Sequence, residues 1–164
     1  IDACLGNLDA AAAQLAGAVS EQPGRADPWD LLDSRVWLFW ALHQQNVAKA
    51  VTGDLLRQLL GTVSGWRQEQ PRVLEAAAAW FCAASSWPDA QHAWQSAQAQ
   101  RAASGIVRFA VEQMHAEHIE QALVLHVQSI SETARIDTDQ TQHGDLQSAD
   151  LLMQMSARVD AVIA

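Results

Sequence analysis

The densest cluster of groups able to do chemistry is Glu112-Gln-Met-His115-Ala-Glu117-His118. On an α-helix Glu112 and His115 are neighbours at i,i+3, and so are His115 and His118. A step of about 100° per residue puts the three within an arc of about 120°. One carboxylate and two imidazoles form the ligand set of many metal sites. Glu-x-x-His is also half of the motif of carboxylate-bridged di-iron bundles, which needs a second such motif and two further glutamates. Asp89-Ala-Gln-His92 offers an Asp-x-x-His in that place, and Glu75, Asp30 and Asp33 are the carboxylates nearest to filling the rest. The competing reading is a solvated polar face on a long helix, with His118 at its edge.

The other histidines are read as structural. His43 lies between Trp40 and Val47, in line with Val36, where an imidazole usually serves as a hydrogen-bonded core group. His126 lies two turns beyond His118 and would extend a histidine stripe. Asp137-Thr-Asp139-Gln-Thr141-Gln-His143-Gly144-Asp145 begins like a calcium loop. Gln142 stands where the sharp turn needs Gly, and Ser148 where a bidentate Glu is needed, so an EF-hand is rejected. Cys4 and Cys82 are far apart, with no CxxC spacing, and Cys82 sits in the apolar run Ala-Trp-Phe-Cys-Ala-Ala. No nucleophile elbow or glycine-rich phosphate loop is present. The sequence therefore leans away from an enzyme and implies no cofactor beyond the metal reading.

Seven tryptophans are many for 164 residues. Trp37, Phe39 and Trp40 cannot share one face, because adjacent helical residues diverge by about 100°. Either two cores meet this helix, or a partner covers one aromatic side. Trp37, Trp40, Trp87 and Trp94 are the candidate interface residues, since tryptophan is enriched at interface hot spots. An apolar ligand pocket is a third reading.

These groups must be positioned by helices. Strand signals are scarce, with no Tyr and three Phe, while Ala, Leu, Gln and Glu dominate. A first helix is predicted over residues 2–19. Asp27-Pro28 caps a second, which runs to Thr52 and is stopped by Gly53. A third covers 54–63 with a leucine face. A fourth opens at Pro71 and ends near Ala84. Ser85-Ser86-Trp87-Pro88-Asp89 opens a fifth, loosened or ended at Ser104-Gly105. The longest covers 106–136, residues 137–144 form a loop, and a last amphipathic helix carries Leu152, Met155 and Val159. The expected architecture is an all-α bundle of six or seven helices in one domain spanning residues 1–164.

The net charge is -9, and the ten basic residues are scattered. Phosphate backbones and anionic membrane surfaces need clustered positive charge, so both are poor partners. No apolar run is long enough for a transmembrane span. Asp2 and Asp9 stand where a signal peptide needs basic residues, and the expected compartment is cytoplasmic.

From Ser86 to about Glu132 the chain reads Trp87-Pro88-Asp89, a Gln- and Ala-rich run from Gln91 to Gln100, then Arg108-Phe109, Ser129-Ile130 and Glu132-Thr133. In this rhythm, over under a third of its length, it resembles the phasins, helical proteins that coat polyhydroxyalkanoate storage granules. The resemblance implies a non-catalytic coat protein whose apolar side meets a hydrophobic granule surface. From the residues alone, the expectation is a helical interaction or scaffold protein that works through tryptophan-rich faces on a protein partner or a second copy.

Overall fold

The computed structural model describes residues 8–21, 27–133 and 148–163. Over these residues the chain is all α, as expected, and contains no strand. In order, the helices are α1 (Leu8–Glu21), α2 (Pro28–Gln44), α3 (Lys49–Thr62), α4 (Gln70–Ala83), α5 (Trp87–Ser104), α6 (Ala110–Thr133) and α7 (Ser148–Ile163), with a 3-10 turn, Val63–Gly65, after α3.

Helix starts follow the local chemistry. Asp27 caps α2 by accepting a hydrogen bond from the Trp29 amide at 2.8 Å, with Pro28 at the first position, where no amide is needed. The α5 start is tied differently. The Ser86 hydroxyl donates to Asp89 Oδ2 at 2.6 Å, and Asp89 also pairs with Arg158 of α7.

Two predicted boundaries are corrected. The second helix stops at Gln44, not Thr52. Asn46 takes a left-handed φ of 53°, its amide donates to the His43 carbonyl, and the Val47 amide reaches back to Leu42. This is a Schellman cap with asparagine in the place glycine usually takes. Gly53 consequently stops nothing and lies inside α3, where a Cβ would come 2.5 Å from Ile163 Cδ1 and 3.0 Å from the Trp80 ring. The absent side chain lets α7 approach α3. The long helix begins at Ala110 rather than residue 106. Gly105 ends α5 at a φ of 68°, and Glu112 accepts from the Phe109 amide at 3.0 Å, fixing the new start. Residues 2–7, 134–136 and the loop over 137–144 lie outside the described residues.

The centre of the fold is α4. Every residue from Gln70 to Phe81 is buried, because α2, α3, α5 and α6 all pack on it. Its alanines, Ala76 to Ala79, let neighbours come close. α5 answers with its own small-residue stripe, Ala90, Ala93 and Ala97. α1 packs on α2, and α7 packs on α3 through Leu152, Met155 and Val159. None of the described helices is long and apolar enough to cross a membrane.

Candidate functional site

Where the ends of α2 and α4 meet the start of α5 and the middle of α6, the bundle leaves a cavity of about 310 Å³. α2 lines it with Trp40, His43 and Gln44, and α6 with His115, His118 and Ile119. Cys82 and Trp87 close the remaining side. The space exists because alanines stand at 79, 83 and 122.

His115 is the organising residue. Its imidazole stacks on Trp40 with ring centroids 4.0 Å apart and planes 15° from parallel. Gln44 Nε2 lies 2.8 Å from His115 Nε2. An amide N–H only donates, so Nε2 accepts and the neutral ring carries its proton on Nδ1. Nδ1 is itself buried and has no hydrogen-bond partner among the described residues. Burial, with His118 and His43 nearby, pushes the imidazole down to about 4. His43 stacks on Phe39 at 5.5 Å, and burial lowers its pKa below the ordinary value too. Burial raises the Cys82 thiol to about 11, so it is protonated and unreactive at neutral pH. At neutral pH both of these imidazoles and the thiol are therefore uncharged.

The predicted metal ligands separate. His115 and His118 both line the cavity, but Glu112 turns to the other side of the helix-packing layer. There it lies 2.7 Å from Arg72 Nε and 3.6 Å from Arg101 Nη2. Glu75, the inward carboxylate looked for in the sequence, is indeed buried, and it too is held by arginines. Arg101 makes two hydrogen bonds to it at 2.7 and 2.8 Å, and Arg108 approaches at 2.7 Å. Arg72 extends the chain of charges to Asp33 and Glu69. Guanidinium groups thus neutralise the carboxylates that a di-metal centre would need. Among the described residues no three His, Cys, Asp or Glu side chains converge on a point where a metal ion would sit. Asp89 is engaged by Ser86 and Arg158, away from the cavity lining.

The tryptophans divide. Trp80 is fully buried, with Nε1–H donating to the Lys49 carbonyl and Thr52 Oγ1. Trp40 and Trp94, expected at an interface, are 7% and 8% exposed and belong to the interior of this chain. The Arg108 guanidinium covers Trp94 at 5.3 Å, and Arg72 lies 5.4 Å from the half-buried Trp37. Trp87 is also half-buried, stacked on His126 at 4.2 Å. Consecutive aromatic residues on α2 are therefore accommodated by packing on several sides, from α1, α3 and α4.

Arg72 and Arg101 were not singled out from sequence, and Arg108 was named only within the phasin resemblance, yet one signal was there. Arg101 continues the Ala93–Ala97 stripe at i+4, where an apolar side chain is expected. Gln44 and the cavity alanines carried no such signal.

Beyond the cavity α6 changes character. Ala116 and Ile119 are buried and Leu123 is partly buried, but Ile130, one heptad past Leu123 on the same face, is 48% exposed. Val124, Leu125 and Val127 are exposed as well. From Gln121 to Ser131 there is no formally charged residue. The Trp87–His126 stack marks the junction between the packed and the exposed half.

No protein-family model, curated protein or solved structure matches the chain.

Proposed function

We propose that this protein is a non-enzymatic helical interaction module that pairs with a second copy of itself through the outer half of α6. The supporting observation is the α6 stripe, which is buried at Ala116 and Ile119 and exposed at Ile130. Val124, Val127 and Ile130 leave apolar surface exposed on the side of α6 that continues the buried stripe, and contiguous exposed apolar surface of this kind marks an interaction site. Charge favours a like partner at this place. The chain carries -9, so two copies repel over most of their surface, but not over the uncharged stretch from Gln121 to Ser131. The reading moves the interface from Trp40 and Trp94 to the end of α6, with Trp87 at its edge.

Light scattering coupled to size exclusion tests it. The wild-type chain should run as a dimer that dissociates on dilution, and Val127→Glu and Ile130→Glu, neighbours at i,i+3 on one α6 face, should run as folded monomers. A wild-type monomer at the highest soluble concentration sinks self-pairing. Granule coating, the role implied by the phasin resemblance, would use the same apolar face. It is favoured instead if that monomer adsorbs to polyhydroxybutyrate particles and the two glutamate variants do not.

A further inference from the structure

We propose that the cavity between α2, α4, α5 and α6 binds an uncharged, planar aromatic molecule of one or two fused rings with a hydrogen-bonding group. This rests on the cavity lining and not on self-pairing, although Trp87 and Ala122 border both. Size sets the first limit: about 310 Å³ is at the small end of the range for ligand pockets, roughly 300–1,000 Å³, too small for a haem or a dinucleotide. Charge sets the second. No Asp, Glu, Lys or Arg lines the cavity, and burial keeps His43, His115 and Cys82 neutral. A charged ligand would lose hydration against buried walls that hold no fixed counter-charge, with His118 at the exposed edge the one other titratable group in the lining. The walls set the third. Two indoles, Trp40 and Trp87, give flat apolar surface suited to stacked or edge-on rings. His43, His118, Gln44 and the Cys82 thiol supply the few polar contacts that would orient such a ring. Trp40 and Trp87 are themselves held in place by stacking on His115 and His126, so the walls are formed before a ligand arrives.

Indole is the probe, titrated into the full chain by isothermal calorimetry, with indole-3-acetate as its charged counterpart. Two variants fill the space: Ala122→Phe, and Ala83→Trp at an exposed position on the rim, with circular dichroism to establish that each folds. The expected result is saturable binding of one indole per chain. Affinity should fall at least about tenfold, or about 1.4 kcal/mol, in the folded filled variants and for the acid. The exposed rim variant decides the matter if Ala122→Phe does not fold. Three results overturn the proposal: no saturation up to the solubility of indole, equal affinity in a folded filled variant, or equal affinity for indole-3-acetate.

Discussion

His115 lies face to face with Trp40, ring centroids 4.0 Å apart, while its Nε2 meets the Gln44 amide at 2.8 Å. The stack holds α6 against α2, and burial, with His118 and His43 nearby, keeps the imidazole neutral. Its pKa of about 4 lies below the ordinary 6.5, so the unfolded chain binds a proton that the folded chain refuses. The His115 contribution is fully present above pH 6.5 and is lost as the pH falls toward 4. Urea denaturation at a series of pH values should show this loss, up to about 3 kcal/mol from His115. His115→Phe keeps a ring on Trp40 and removes the titration. Its stability should fall less steeply across that window, and an unchanged slope would remove His115 as the cause.

Glu75 and Asp54 both form ion pairs with arginine, in opposite surroundings. The Glu75 side chain is 4% exposed and bound by Arg101 and Arg108, whereas Asp54 is 60% exposed beside Arg57. Glu75→Ala leaves two arginines without their shared carboxylate and should cost about 3–5 kcal/mol. Asp54→Ala should cost less than about 1 kcal/mol. Parallel chemical denaturation of the two variants checks the contrast. Similar losses would mean that the interior arginines find water or other partners.

Asn46 holds the left-handed turn that ends α2. Asn46→Gly removes the Cβ from a conformation that disfavours it and should stabilise the chain by up to about 1 kcal/mol. Asn46→Val places a branched side chain there and should cost about 1–2 kcal/mol. If both variants matched the wild type in denaturation midpoint, the turn would not be held at that residue.

Gly53 sits where α3 meets α7 and Trp80. Gly53→Leu has no room and should destabilise by about 1–3 kcal/mol. The damage should appear first as faster amide exchange over residues 148–163, since α7 must move away. Faster exchange confined to α3 would show that α7 does not depend on this close approach.

Much of the fold was written locally. Asp27-Pro28 and Ser86-Trp87-Pro88 start helices where they were expected to, because a cap and a proline act within one turn. Gly105 ends one for the same reason. Asn46 escaped notice because asparagine at a helix end is ambiguous until the left-handed φ is seen. Gly53 misled for the opposite reason: a helical glycine can be a stop or a close contact, and only α7 decides which.

By itself, the sequence determined that the chain is helical, acidic and rich in tryptophan, and it placed Glu112, His115 and His118 on one α6 surface. Helical spacing fixes such angles without reference to any neighbour. The tertiary structure decided what each group meets. α4 passes through the middle of the bundle, so Glu112 and Glu75 share Arg101 while His115 meets Trp40 across a different layer. Residues less than one turn apart thereby acquire opposite environments, one charged and one neutral. Ligand, ion-pair partner and stacking partner come from helices distant in the chain, and periodicity within α6 carries no information about them.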